Sequence, residues 1–244
     1  MNQEMGWMFM NTDYEFHLMQ FSDSFFPSGM FSMSGGLEYF VNQKKISTPE
    51  DVLKFIKEQI EFQLIPCDCA VVSIAIDAIK NNDFPKVIQI DNKYYSMKLS
   101  KEIRNSSVRS GKQVFNCLKH MIENTENKSH FINQINDKIE SDKMLCTYPV
   151  ALAISAVCLE IPIQSVLRIL LYSFSSSVVS AAIRLGIVQH LDAQKILWLL
   201  TETINNTISK NVLKKSINDI WQLVPLTEIY QMKHEHNESK MFIT

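Results

Sequence analysis

The sequence predicts an all-α protein: a single domain over residues 1–244, built as a bundle of about eight to ten helices. Three observations predict it. Helix-start signals recur along the chain. Only six glycines are present, too few for the many tight turns of a sandwich or barrel. Strand-like alternation is rare: residues 86–90 alternate, but over too short a run to anchor a sheet.

The elements follow in order. Thr48 is an N-cap, Pro49 suits the first helical position, and Glu50 and Asp51 place acids in the first turn. Val52, Ile56 and Ile60 then mark a buried stripe at four-residue spacing. A long helix is predicted over 96–122, with Leu99, Ile103, Val114, Leu118 and Met121 facing inward. Its middle carries Ser106, Ser107, Ser110 and Gly111. Such small residues either admit a second backbone at close range or form a plain solvated face. Residues 123–129 read as an interhelical loop. Thr147-Tyr148-Pro149 opens another helix, Ile161-Pro162 a further one, and Asp192 can cap a last one carrying Ile196, Leu199 and Leu200. No internal repeat and no boundary between two cores is visible. The first 15 or so residues, rich in Met and Phe, read as a flexible segment.

Composition narrows the class of function. Of the 244 residues, 46% are apolar, enough for a sizeable core. Net charge is −2 and the basic residues are dispersed, which does not favour a nucleic-acid partner. Five cysteines, an odd number thinly spread, argue against a disulfide framework and for a reducing, cytoplasmic setting. The N-terminus lacks a basic stretch followed by an apolar run, so no secretory signal is read there. The best membrane candidate, 161–188, has its longest charge-free run between Arg168 and Arg184, interrupted by five serines. That falls short of the roughly 20 apolar residues needed to span a bilayer, so it reads as a buried helix.

A search for chemistry returns little. Neither GxxxxGK[ST] nor GxGxxG occurs, so GTP and dinucleotides are not expected by those routes. HExxH is missing, and Ser34-Gly35-Gly36 does not fit a nucleophile elbow. Cys67-x-Cys69 lacks the second pair that a structural zinc site needs, and His234-x-His236 lacks a third ligand. No cofactor, metal site or catalytic residue is assigned. Arg104 and Arg109 could hold carboxylates or simply lie on a helix surface. Arg184, set among Ser180, Ala181, Ala182, Ile183 and Leu185, is expected to be paired or at an interface. Residues 22–39 mix Gly and Ser with Phe and Met; from the residues alone they either pack back on the core or present apolar groups to a partner.

The same segment carries a resemblance. Ser22-Asp23-Ser24, Pro27, Gly29, Phe31-Ser32, Ser34 and Gly36-Leu37-Glu38 resemble the N-terminal signature SDSxxPxGxFxxSxGLE of the UreF family of urease accessory proteins. Four more matches follow in order. Ser100-Lys101-Glu102-Ile103-Arg104 with Ser107 and Gly111 is similar to the family's RELRxAS…G helix. Tyr148-Pro149-Val150-Ala151 resembles HPxAF, and residues 173–185 resemble the NLVSAAVRL helix. Met232-Lys233-His234-Glu235 with Ser239-Lys240-Met241-Phe242 resembles the MRHE…SRLF tail. There are departures. Where the family reads PLGQTDGQ after the arginine, residues 187–194 retain Asp192 and Gln194 but lack the proline and both glycines. Met30 and Met33 replace other residue types, and Lys233 and Lys240 stand for arginines, keeping charge without the bidentate fork.

The resemblance implies a helical, non-enzymatic homodimer. It would bind UreD (also called UreH) and the GTPase UreG, and help load nickel into the urease apoprotein. Its implied partner-binding residues are Asp23, Pro27, Gly29, Ser34, Gly36, Glu38, Arg104, Arg184, Asp192, Gln194, Lys233, His234, Glu235, Lys240 and Phe242. Residues 232–244 would form a docking tail for UreD, mobile or loosely packed when alone. The alternatives are a helical scaffold for another metalloenzyme and, from a different class, a small hydrolase or metal-dependent enzyme.

Overall fold

The computed structural model describes residues 13–123, 126–211 and 216–244. The flexible segment expected over about 1–15 falls almost wholly outside them. The described residues form ten helices and no strand. They are α1 (Asp13–Ser22), α2 (Leu37–Asn42), α3 (Pro49–Lys80), α4 (Phe84–Met97), α5 (Lys101–Met121), α6 (Glu126–Glu140), α7 (Tyr148–Cys158), α8 (Ile163–Arg184), α9 (His190–Asn211) and α10 (Pro225–His234). Short 3₁₀ turns lie at Met30–Ser32 and Ile217–Asp219.

α3 starts as expected: Thr48 and Asp51 form a capping box, and Val52, Ile56 and Ile60 are fully buried. Its middle, Ile60–Cys69, is π-helical and contains Pro66. Proline supplies no amide hydrogen, which unsettles the local ladder. Neighbouring chain repairs it: Leu223 donates its amide to the Phe62 carbonyl at 2.8 Å, and Trp221 to that of Pro66 at 3.2 Å. Cys67 and Cys69 sit in this stretch, buried, and burial pushes the Cys67 thiol up to about 12. They are inert core thiols.

α7, almost wholly buried, packs between α3 and α5. α5 lies against the chain that leads into α7. A Cβ on Gly111 would stand 1.9 Å from the Cys146 carbonyl oxygen, and Ser107 Oγ accepts from the Tyr148 amide at 3.2 Å. The small residues therefore do admit a second backbone. Asp91, fully buried on α4, accepts from the Cys146 amide (2.7 Å), the Thr147 amide (2.9 Å) and the Thr147 hydroxyl (2.6 Å), fixing the same corner.

The predicted helix over 96–122 is two helices with a break at 98–100. The Lys98 ammonium turns into the core to meet Asp68 at 3.1 Å, Ser100 caps α5, and Arg104 Nη1 donates to the Lys98 and Leu99 carbonyls. Leu99 consequently faces outward, against expectation; Met121, in the last turn of α5, is also exposed, whereas Val114 and Leu118 are buried. Residues 86–90 are helical, within α4. The loop expected over 123–129 is shorter, since α6 begins at Glu126. α9 begins at His190, so Asp192 sits in its first turn rather than at its cap, and Leu199 is exposed while Ile196 and Leu200 are buried.

α3 and α8 are long and apolar enough to cross a membrane by length and composition. Both are largely buried inside the chain, with 89% and 61% of their most apolar stretches covered. They are the bundle's own core helices.

Candidate functional site

Residues 235–244 leave α10 and run back over α2, α5 and α8. The result is an anchor built from four separated segments of the sequence: 32–38, 100–102, Arg184 and 231–244. Glu38, 4% exposed on α2, is its centre. Its carboxylate accepts from the Met241 amide at 2.8 Å and the Phe242 amide at 3.1 Å. It also faces His234 Nε2 at 3.0 Å. His234, with no exposed surface, turns Nδ1 to Glu102 at 2.7 Å, and Glu102 in turn receives the Lys240 ammonium. A doubly protonated ring can donate to both carboxylates; a neutral ring can donate to only one.

The turn before α2 prepares this geometry. Gly36 adopts φ 99°, a left-handed conformation, and a Cβ there would stand 3.1 Å from Gln231 on α10. Gln231 donates to the Gly35 carbonyl at 3.0 Å. The Ser34 hydroxyl and amide both donate to a main-chain oxygen of Thr244, and the Ile243 amide donates to the Ser32 carbonyl at 2.9 Å. The tail thus pairs alongside residues 32–34.

Two further contacts hold it. Glu235 accepts from Ser100 Oγ (2.7 Å) and from the Lys101 and Glu102 amides, so it caps the N-terminus of the 21-residue α5. Partial burial pushes its carboxyl up, but these hydrogen bonds outweigh that and hold it below its usual value. Phe242, 4% exposed, lies under the Arg184 guanidinium, 4.2 Å from the ring centroid, and partial burial pulls that guanidinium down.

The sequence-named residues therefore divide. Ser34, Gly36, Glu38, His234, Glu235 and Phe242 are committed to the anchor, with Lys240 and Arg184 at its edge. The tail is packed on its own chain, with Phe242 buried, rather than loosely placed. Arg104 clasps the α4–α5 break. Asp23, Pro27 and Gly29 are exposed, as are Lys233 and Gln194, and Asp192 is half-buried. These stand apart from the anchor. Asp23 only caps its own turn, accepting from the Phe25 amide at 3.0 Å.

Residues 22–39 are split between core and surface. Phe26, Met33 and Leu37 pack on the core, while Phe25 is 91% exposed. With Phe16 at 77% and Met19 at 69% on α1, it belongs to the protein's exposed apolar surface. A space of about 430 Å³ opens beside Phe25 and Pro27 against His120 and Met121 of α5. Between α8 and α9 lies a larger groove of about 620 Å³, edged by Tyr172 and the 78%-exposed Trp198.

Sequence reasoning missed the second buried polar group. Tyr94 donates to Asp68 at 2.7 Å, and Lys98 bridges Asp68 and Gln222. One signal was available: Asp68 is the single acid in the apolar run 62–76.

The chain matches the family model described as UreF over residues 46–201. It is 26% identical to a urease accessory protein UreF of Trichodesmium erythraeum, covering 92% of this chain and 94% of that one. It is 28% identical to the UreF of Photorhabdus laumondii, covering 92% and 96%, and 24% identical to that of Actinobacillus pleuropneumoniae, covering 93% and 97%.

Proposed function

The chain belongs to the UreF family of urease accessory proteins, and from that membership we propose that it acts as a non-catalytic adaptor in urease maturation. In this reading it joins UreD and the GTPase UreG in the cytoplasm, pairs with a second copy of itself, and helps load nickel, as cargo, into apo-urease. It modulates UreG and turns over no substrate itself. The observation that best supports the reading is the anchor. Motif segments around Glu38, Ser100 and Arg184 converge to hold one short tail in a defined path.

Anchoring fixes which tail groups are offered outward. Phe242 is buried, but Met241 is 58% exposed, Ile243 39%, and Lys233 is exposed. These are the groups this reading gives to UreD, together with the face of Phe16, Met19 and Phe25. The groove with Tyr172 and Trp198 is given to the second copy.

The test is a pull-down from cells expressing a complete urease operon. We expect the full chain to retain UreD, UreG and urease subunits. A chain truncated after Gln231 should lose UreD, and so should Met241→Asp, which leaves the buried anchor intact. Retention of UreD at unchanged affinity by both variants would remove the tail from the interface. Capture of another metalloenzyme's subunits in place of urease would favour the alternative scaffold.

A further inference from the structure

Beneath the tail lies a partly open space of about 90 Å³, separate from the Glu38–His234 contacts. α5 contributes Ser107 and Ser110, α8 contributes Ser177, α3 contributes Asp68, and the tail contributes Thr244. Most of these groups have protein partners: Ser177 donates to the Met30 and Met33 carbonyls, and Asp68 is held by Tyr94 and Lys98. Ser110 Oγ and Thr244 Oγ1 are different. Both residues are buried, at 1% and 2% exposed, and neither hydroxyl has a hydrogen-bond partner among the described residues. Burying a hydroxyl without a partner is costly, and here two such groups line one space.

We infer that this space is a hydration site, occupied by a cluster of water held by Ser110 and Thr244. The Asp68 charge on its wall is matched by Lys98 at 3.1 Å. Size allows it, since one enclosed water needs about 10–15 Å³ of such volume. An all-apolar cavity stays dry, but this wall is mixed, with Met30 and Met33 among the lining residues beside the serines and Thr244. The site links the end of the tail to α5 through exchangeable solvent rather than by direct contact. The inference does not depend on the proposed adaptor role.

Ser73 provides the control. It is equally buried at 1% exposed, its hydroxyl is likewise unpartnered, and it does not line this space. The experiment compares the thermal midpoints of Ser110→Ala and Ser73→Ala in the full chain. Removing a dry, unpaired hydroxyl leaves stability unchanged or raises it; removing one that binds water loses that bond. We expect Ser73→Ala to melt at or above the parent and Ser110→Ala to melt lower, by roughly 2–4 °C. Magnetisation transfer from long-lived water to the Met30 and Met33 methyl groups should be seen in the parent by NMR. If Ser110→Ala raises the midpoint as Ser73→Ala does, or if no water transfer reaches those methyls, the site is dry and the inference is overturned.

Discussion

The two halves of one sequence motif, residues 22–29 and 34–38, meet opposite fates. Ser34, Gly36 and Glu38 are buried and saturated with contacts inside the chain. Asp23, Phe25, Pro27 and Gly29 stand in solvent, and Asp23 serves only its own turn. A motif read as a single binding signature is thus half scaffold and half surface. Its buried half shapes the tail, and its exposed half is what another molecule can touch. On the adaptor reading proposed above, a substitution in the first half acts on recognition directly, and one in the second half reaches it only by loosening the tail.

The sharpest test of that division is Glu38→Ala. It leaves the His234 ring facing one carboxylate instead of two and strips the Met241 and Phe242 amides of their acceptor. Breaking a buried charged group of this kind costs about 3–5 kcal/mol. Chemical denaturation should show that loss, and hydrogen exchange should show the two amides unprotected. A near-neutral Glu38→Ala would break the comparison.

Gly111→Ala extends the comparison to the helix motif. The new Cβ meets backbone at Cys146 and Thr147, which has no flexible end to give way. Overpacking of this sort costs about 1–3 kcal/mol. The Arg109 position on the same helix is exposed, and Arg109→Ala should stay within about 0.5 kcal/mol by the same denaturation assay.

A smaller effect is expected from acid. The Glu235 carboxyl is held below its usual 4.5, so its contribution is complete above that pH and fades as pH falls through the lower folded value. Exchange at the Lys101 and Glu102 amides should therefore rise below about pH 4.5. Glu235→Gln, which carries no titrating group there, should lose that acid step.

The smallest stability effect belongs to the exposed half. Phe25→Ala, at a site 91% exposed, should shift stability by less than about 0.5 kcal/mol. The same variant should weaken retention of UreD in the pull-down. An unchanged pull-down would leave the exposed half without a role in this interface.

Helix identity was legible in the sequence because its signals are local. A Thr-Pro cap followed by Val52, Ile56 and Ile60 specifies a start and a buried face within a dozen residues, and the structure has both. The misread break at 98–100 had a non-local cause. Lys98 turns inward because Asp68, thirty residues earlier, waits there, and no periodicity within 96–122 records that. The orientation of Leu99 followed from the same event.

The candidate residues were legible as a set, while their arrangement was not. Resemblance named Glu38, His234, Glu235, Lys240 and Phe242, but it could not say that they face one another. The sequence by itself determined the all-α class, the family and core stripes such as Val52, Ile56 and Ile60, since each rests on residue type and short-range spacing. Only the tertiary structure decided which motif residues are buried, which helix the tail caps, and where unpaired hydroxyls come together. Those outcomes depend on distances between groups up to about 200 positions apart, such as Glu38 and Phe242. Packing sets such distances, and neither composition nor periodicity encodes them.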